Sequence, residues 1–324
     1  RVALGEKMLG VETGGGCWRR TWRRRHVALT SCLAAAAMLL LPALLREKEA
    51  TAQPDRASAL AGVPSLSGVD ELLPPVPLAL RNAEHLIVVA GHAVYTASDR
   101  GNGRLQQEAS WFLEPFQRGQ LATMLAHIQQ GVKLAAADKQ SLLLFSGGQT
   151  RASAGPRSEG SAYWEAAEAS GWFGHAEARE RAHVEEQARD SFENLLFSLC
   201  RFHELTGRYP VKVTVVSFGF KQWRFSELHR RAVRFPEDRF HFVGVDPPGL
   251  TPAVQEGERT RSARPFEADP YGCHDAGLRT KRLERNPFRR AISYPLGCPE
   301  LAPIISRCPD SIYMGPLPWD ALAP

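Results

Sequence analysis

The stretch SLLLFSGG, residues 141–148, is an apolar run that ends in a serine and two glycines. Three further runs are also mainly apolar: HLIVVAG at residues 85–91, VKVTVVSFG at residues 211–219 and RFHFVGVDP at residues 239–247. Apolar runs that alternate with helical segments are typical of strands buried on both faces of a parallel sheet. The sequence therefore predicts an α/β fold: a Rossmann-like, doubly wound, mostly parallel sheet with helices on both faces.

The segments between these runs carry the spacing of amphipathic helices. Helices are predicted over residues 106–136, from about Ser158, from about Asp190 and over residues 222–235, with a short strand over residues 181–185. The domain is predicted to cover residues 81–249. After it, residues 250–324 are rich in Pro and Arg with weak periodicity, so we expect this C-terminal extension to wrap the domain with short helices.

The positive charge of the chain lies at its N-terminus. The formal charge of the whole chain is +5, and the basic segment of residues 1–26 carries all of it. Residues 27–45 contain no charged side chain, and their number is close to the roughly 20 residues that span a bilayer as a helix. The flanking charges favour a signal-anchor that places the domain in the lumen of the ER or Golgi, followed by a linker over residues 46–80. A cleaved signal peptide and an organelle-targeting transit peptide are the alternatives.

The charge distribution also bears on partners. Because residues 27–324 are neutral overall, a basic stripe on the domain is not indicated, and no nucleic-acid partner is expected. The run of residues 279–290 remains a candidate anion contact. The predicted partners are therefore a membrane, through the N-terminal helix, and a small anionic ligand.

The cysteines predict no metal site, since neither a CxxC motif nor a Cys/His pair with zinc spacing occurs. Cys200 falls on the apolar face of a predicted helix, where a small buried hydrophobe is the simplest interpretation. Cys298 and Cys308 lie close together in the C-terminal extension. If that extension is luminal, a disulfide between them is expected.

The ends of the predicted strands supply the first candidate site residues, because open α/β sheets bind ligands there. Ser146, Gly147 and Gly148 are predicted to form an anion-binding nest of backbone N–H groups. Gly91 and Ser217 are predicted ligand contacts at the ends of two other strands. A Gly-Gly turn is also a common tight exit from a strand.

The helix starts supply further candidates. Ser158 and Glu159 open one helix, and roles as N-cap and first-turn carboxylate would account for both, although both are also candidate ligand contacts. Lys221 and Arg224 lie one turn apart at the start of another helix, where cations oppose the helix dipole unless an anion lies in front of them. We therefore predict that these two bind an anion. His229 and the arginines beside it are expected on a solvated face.

The stretch VEEQARDSFENLLFSL, residues 184–199, concentrates acidic and amide side chains at a third helix start. Asp190 and Glu193 have the spacing of a capping box, which would explain both. Capping does not explain Glu185, nor an asparagine at position 194, where a helix interior disfavours it. Glu185, Asp190 and Glu193 are predicted as acid/base catalytic residues, and Asn194 as a ligand contact.

The order of these pieces resembles the YdcF-like (SanA/ElyC) family of Rossmann-like proteins, and the C-terminal extension is similar to that of its fungal and algal branch. The resemblance covers residues 83–247, about half of the chain, and is most specific over residues 185–194. Arg224 matches the family. The chain departs from the bacterial pattern of Ser, Thr and His at Ala188, Ser191 and Lys221. A proton-transfer role of that histidine would not pass to a lysine, whose ordinary pKa is much higher.

The resemblance implies a Rossmann-like, often membrane-anchored protein, linked in bacteria to cell-envelope and lipid-carrier biology, with S-adenosylmethionine as a candidate cofactor. Two functional hypotheses follow. The first is a membrane-anchored protein that binds a nucleotide-like or phosphorylated small molecule and acts on it as a transferase or hydrolase. The second is a non-catalytic ligand-sensing or scaffold protein of the secretory pathway.

Overall fold

The structure, a computed structural model, describes residues 75–97 and 104–322. The predicted basic segment at residues 1–26, the predicted membrane segment at residues 27–45 and most of the predicted linker lie outside the described residues. Among the residues that the structure describes, no helix combines the length and the apolar character needed to cross a membrane.

A five-stranded parallel sheet forms the centre of the fold and confirms the predicted α/β class. Its strands are β1 (His85–Ala90), β4 (Ser141–Ser146), β5 (Ala182–Glu185), β6 (Lys212–Ser217) and β7 (Phe240–Gly244). They lie in the spatial order β5-β4-β1-β6-β7. The chain therefore builds the sheet outward from β1 in one direction, then returns to add β6 on the other side of β1. The gap between the ends of β1 and β6 is the switch point at which such sheets bind ligands.

Helices cover both faces of the sheet, as predicted. The long ones are α1 (Leu121–Ala137), α2 (Glu159–Ala169) and α3 (Ser191–Thr206). Ile87 and Val89 of β1 pack with the apolar side chains of α1 and α2. Leu86 and Val88 point to the opposite face and pack with α3. This alternation on a strand buried on both sides explains why the β1 sequence is apolar throughout.

The predicted helix over residues 106–136 is wrong in its first half. Only α1 is helical, and the residues before it form short 3₁₀ turns and the strand β3 (Trp111–Phe112), which pairs with β2 (Val94–Tyr95). Pro115 starts one of these turns, and Gly119 has a φ of 80°. A helix starting at residue 106 would not pass through either position, since proline lacks the N–H donor and this φ is left-handed.

The predicted helix over residues 222–235 is irregular. Arg224–His229 forms a π-helical turn, and a short α4 (Arg230–Ala232) follows it. His229 was expected on a solvated face, but its side chain is completely buried, and Arg230 is buried as well. Aromatic rings explain the error, because they surround the imidazole of His229: Phe192, Phe225 and Phe266.

The C-terminal extension packs on the α3 face of the sheet. Its helices are α5 (Pro252–Glu258), α6 (Arg264–Ala268), α7 (Ala276–Glu284) and α8 (Ala302–Ile305). Phe266, Leu278 and Trp319 of the extension join the apolar cluster around α3. The extension is thus part of the core on that face.

One disulfide links this extension to α3 and a second lies within the extension, in a pairing that corrects the predicted one. Cys298 pairs with Cys200 of α3, and Cys273 pairs with Cys308. The predicted Cys298–Cys308 bond is therefore wrong, and Cys200 is not a free hydrophobe. Nearness in sequence misled the prediction, because the extension folds back on α3 and brings Cys298 to a residue 98 positions earlier.

Candidate functional site

A cavity of about 710 Å³ lies at the carboxyl ends of the strands. The ends of β1 and β6, the start of α3, the π-helical turn, and α5 and α7 supply its wall. It therefore sits at the switch point between β1 and β6, where the fold favours a ligand. Several predicted site residues line this cavity: Gly91, Glu159, Asp190, Asn194, Lys221 and Arg224.

The other predicted site residues do not line the cavity, and most of them hold its wall in place: Ser146, Gly147, Gly148, Ser158, Glu185, Glu193 and Ser217. The predicted nest at the end of β4 is wrong. The N–H of Gly147 donates to the Glu185 carbonyl at 3.0 Å, and the N–H of Gly148 donates to the Ala188 carbonyl at 2.7 Å. A Cβ on Gly148 would lie 2.7 Å from the same Ala188 oxygen. The glycines therefore allow the β4 and β5 exits to approach each other, which is the alternative of a tight strand exit.

The start of α2 is likewise closed by protein groups. The Ser158 hydroxyl accepts from the Ser161 N–H at 2.9 Å, as an N-cap does, and donates to Glu186 at 2.6 Å. The N–H of Glu159 donates to the Gly148 carbonyl at 3.1 Å. Capping thus accounts for Ser158, whereas the Glu159 carboxylate accepts from Thr150 and also lines the cavity.

Glu185 belongs to a buried network behind the cavity wall. Its carboxyl accepts from the Ser146 hydroxyl at 2.7 Å, and the Asn194 amide donates to that hydroxyl at 2.9 Å. Burial raises the pKa of Glu185 to about 7. Of these three side chains only Asn194 reaches the cavity. The network therefore joins the end of β4 to α3 and explains an asparagine inside a helix.

Asp190 and Glu193 are held in ion pairs at the start of α3. Asp190 accepts from the Glu193 N–H at 2.9 Å, as predicted for an N-cap, and from Arg282 Nε at 2.6 Å. Burial opposes the charge on Asp190, but the Arg282 guanidinium outweighs it and holds the pKa of this carboxyl well below its usual range. Glu193 binds the side chain and the N–H of Arg189. In a complete capping box the Glu193 carboxylate would accept from the N–H of Asp190. Here it accepts from the N–H of Arg189, one residue earlier.

Cationic side chains dominate the cavity wall. They are Arg151, Arg189, Lys221, Arg224, Arg261, Lys281 and Arg285, against the carboxylates Glu159, Asp190 and Glu258. Neither Lys221 nor Lys281 has an ion-pair partner in the described ranges. Burial and the nearby Arg224 lower the pKa of Lys221 to about 7, and burial and Arg285 lower the pKa of Lys281 to about 8. These cations repel one another, so an anion in the cavity would relieve the repulsion.

The run of residues 279–290, a candidate anion contact in the sequence, does reach the cavity through Lys281 and Arg285. Arg285 also donates to the Arg189 carbonyl at 2.9 Å, which fixes the end of α7 against the start of α3. The extension therefore supplies part of the site as well as part of the core.

Sequence reasoning missed His92, which directly follows Gly91 at the end of β1. Its Nε2 lies 3.1 Å from the Ser217 hydroxyl, and its Nδ1 lies 3.4 Å from Lys221 Nζ. Burial, and then the charge of Lys221, lower the pKa of His92 well below its ordinary value. Ser217 thus orients His92 instead of meeting a ligand directly. The position after a strand-ending glycine was the signal that could have identified this histidine.

Ser191 and His229 were also missed. Ser191 is the first residue of α3 and lines the cavity. Its Oγ lies 2.8 Å from His229 Nε2 and accepts from Arg224 Nη1 at 2.9 Å. Arg224 is also paired with Glu258, its Nε 2.7 Å from that carboxylate. No local pattern marks Ser191 and His229 as partners, since they meet only through packing of the π-helical turn on α3.

One wall of the cavity is aromatic. The rings of Phe218 and Phe220 stack with their centroids 5.1 Å apart, and Lys221 Nζ lies 5.0 Å from the centre of the Phe218 ring. Phe116 stands at the cavity wall with 71% of its surface exposed. The cavity thus combines a cationic region with a flat apolar one. Within residues 75–97 and 104–322, no group of three His, Cys, Asp or Glu side chains could hold a metal ion.

Comparison with known proteins adds one relative. The chain is 34% identical over 121 residues to the uncharacterized protein YOR238W of Saccharomyces cerevisiae, and the match covers 34% of this chain and 40% of the yeast protein. The chain therefore spans less than half the length of that relative. No protein-family model and no solved structure matches the sequence.

Proposed function

We propose that this protein binds a phosphorylated, nucleotide-like small molecule at the switch point of its sheet. The observation that carries the proposal is the surplus of cationic side chains in one cavity, with Lys221 and Lys281 lacking ion-pair partners in the described part of the chain. Half-buried cations without an ion-pair partner are costly, and a phosphate supplies both the negative charge and the acceptor oxygens that they lack.

The aromatic wall supports a planar group in the same ligand. Phe218 and Phe220 line the cavity next to the cations, and a planar aromatic group of a ligand packs favourably against aromatic side chains. A phosphate near Lys221 and Lys281 with a base against the phenylalanines would use both regions.

Phosphate fits this wall better than S-adenosylmethionine does. The sulfonium of that cofactor is itself a cation, and Lys221, Arg224 and Arg285 would repel it. We propose membership of the YdcF-like family, and binding of S-adenosylmethionine, from the sequence resemblance alone. The positive charge of the cavity favours phosphate esters over S-adenosylmethionine.

Calorimetric titration tests the proposal, with inorganic phosphate, ADP and S-adenosylmethionine as the probes. We expect binding of phosphate and tighter binding of ADP, and an at least tenfold loss of affinity in Lys221→Met and Lys281→Met. Lys139→Met serves as the matched control, because Lys139 is exposed at the opposite end of the sheet. Equal affinity in all three variants, or no binding of any phosphate compound, would overturn the proposal.

The proposed location is the lumen of the ER or Golgi, with residues 27–45 as a membrane anchor. Two disulfides in the described part of the chain support an oxidising compartment. Carbonate extraction of membranes tests the anchor: the full-length chain should stay in the pellet, and its release into the supernatant would contradict the proposal.

The competing hypothesis is a non-catalytic sensor or scaffold that binds the same ligand. Binding does not separate the two hypotheses, but turnover does. The protein is incubated with phosphate esters and the products are analysed. Formation of a product would favour the transferase or hydrolase, and its absence would favour the sensor or scaffold.

A further inference from the structure

The Ser191 hydroxyl is held in the geometry of an activated nucleophile. A guanidinium can only donate hydrogen bonds, so the 2.9 Å contact from Arg224 Nη1 occupies a lone pair of Ser191 Oγ. The proton of Oγ is then directed to its other close neighbour, His229 Nε2, at 2.8 Å. A hydroxyl that accepts from a cation and donates to an imidazole has the arrangement of a nucleophile paired with its base.

The π-helical turn creates this arrangement. Arg224 and His229 are its first and last residues, and i→i+5 hydrogen bonding brings residues five apart nearly onto one face. In an α-helix the same two side chains would point about 140° apart. Both side chains reach the same oxygen from this widened turn, and such turns occur frequently at functional sites.

His229 is placed to accept a hydrogen bond from the Ser191 hydroxyl, with its Nε2 2.8 Å from Oγ. Burial, and then the charge of Arg224, lower its pKa well below the ordinary value, so that the ring is neutral. Its Nδ1 has no hydrogen-bond partner. Instead of a carboxylate, three phenylalanine rings orient the imidazole, with ring centroids 4.7 to 5.7 Å away.

We propose that Ser191 is a catalytic nucleophile toward phosphate monoesters, with His229 as its base and Arg224 as the group that binds the phosphoryl oxygens. This proposal rests on the proposed function for its substrate class and adds the reaction. Seven cationic side chains against three carboxylates in the cavity wall favour a phosphate ester over an uncharged one.

The reaction has two balanced steps. In the first, Oγ of Ser191 forms a bond to phosphorus while the bond from phosphorus to the ester oxygen breaks; the hydroxyl proton passes to His229 Nε2 and then to the departing oxygen, which leaves as an alcohol. In the second, water attacks the phosphoserine and gives its proton to His229 Nε2. Oγ leaves phosphorus and takes that proton, which restores Ser191 and releases inorganic phosphate.

A fluorophosphonate probe tests the nucleophile without knowledge of the substrate. Its phosphorus forms a bond to a reactive serine oxygen and expels fluoride, and peptide mass spectrometry identifies the labelled residue. We expect the label on Ser191, none in Ser191→Ala, and at least tenfold slower labelling in His229→Gln. Ser262→Ala is the control, because Ser262 also lines the cavity and no hydrogen bond joins it to a described histidine.

A second measurement tests the nucleophile even if the bulky probe cannot enter the cavity or the His229→Gln variant does not fold. In Ser191→Cys, iodoacetamide should alkylate residue 191 at least tenfold faster than a cysteine placed at Ser262. Equal rates in the two cysteine variants, or fluorophosphonate labelling that ignores His229, would overturn the proposed role of Ser191.

Protection separates this proposal from the binding proposal. Inorganic phosphate at saturating concentration should slow the labelling of Ser191 if the cavity binds phosphate. Labelling of Ser191 without protection would support the nucleophile and contradict the phosphate site. The opposite result is also informative. If phosphate slows the alkylation of Ser191→Cys by iodoacetamide, but that alkylation is slow and does not depend on His229, the phosphate site is supported and the nucleophile is contradicted.

Discussion

Asp190 Oδ2 accepts a 2.6 Å hydrogen bond from Arg282 Nε, and this contact joins the first turn of α3 to α7 of the C-terminal extension. Arg282 Nε also lies 3.2 Å from Glu193. The side chains are nearly buried, with 12% of Arg282 and 1% of Asp190 exposed. The start of α3, which borders the cavity, therefore depends on a charge supplied from the extension.

Replacement of Asp190 by Asn should lower the free energy of unfolding by about 3–5 kcal/mol, because it leaves a buried guanidinium with a weakened set of partners. Urea denaturation measures the change. Glu284→Gln is the control, because Glu284 is exposed on α7, the helix that carries Arg282. It should shift the unfolding free energy by less than about 0.5 kcal/mol. A change in Asp190→Asn as small as in the control would contradict the structural role of the pair.

Glu185 should make stability depend on pH. Its pKa is about 7 in the folded protein against 4.5 ordinarily, so the folded state holds a proton that the unfolded state loses between these values. Stability from this group is therefore complete below pH 4.5 and is lost as pH rises through 7, by about 3 kcal/mol in all. In Glu185→Gln this loss should disappear, whereas Glu180→Gln, at an exposed position, should retain it. Urea unfolding at pH 5 and pH 8 distinguishes the two.

Lys221 should make anion binding depend on pH. Its pKa of about 7 means that the cation is lost as pH rises above neutrality, and a bound anion would pull a proton back onto the amine. With inorganic sulfate, whose charge is constant in this range, we expect affinity to fall about tenfold or more between pH 7 and pH 9. Lys221→Met should bind more weakly and with a flatter profile. An unchanged profile in Lys221→Met would remove this lysine from the anion site.

Loss of the Cys200–Cys298 disulfide should cost about 4–5 kcal/mol of stability, because its loop spans 98 residues. The Cys273–Cys308 bond closes a loop of 35 residues and should cost about 4 kcal/mol. Paired Cys→Ala variants, unfolded in urea, measure both. A non-reducing digest should yield peptides that link Cys200 to Cys298; a peptide linking Cys298 to Cys308 would contradict the structure.

Local patterns predicted the sheet well. The apolar runs that contain β1, β4 and β6 are buried strands, the run at residues 239–247 contains the partly exposed edge strand β7, and the short strand before α3 lies where the sequence predicted it. The central strands could be predicted because burial on both faces favours apolar side chains along the whole strand. The structure of the residues before α1 could not be predicted in this way, because Pro115 and Gly119 interrupt a helix that the surrounding apolar spacing favours.

The site was accessible in part. Lys221 and Arg224 were identified because cations at a helix start need an explanation, and both line the cavity. The prediction of an anion-binding nest at Gly147 and Gly148 was wrong because their N–H groups donate to nearby backbone carbonyls, and the sequence does not reveal these acceptors. The contact between Ser191 and His229 depends on a widened helical turn packing on a neighbouring helix, and no spacing rule anticipates it.

Because Lys281 and Arg285 enter the cavity from the extension, the Rossmann-like core and the extension divide the work of recognition. The core supplies the strand ends, the hydroxyl of Ser191 and the aromatic wall, while the extension contributes three of the seven cationic side chains of the cavity, Arg261, Lys281 and Arg285. A protein that shared only the core would inherit the framework and the chemistry but lose much of the preference for highly charged ligands. Substrate range in such proteins could then change by replacement of the extension alone, with the sheet left untouched.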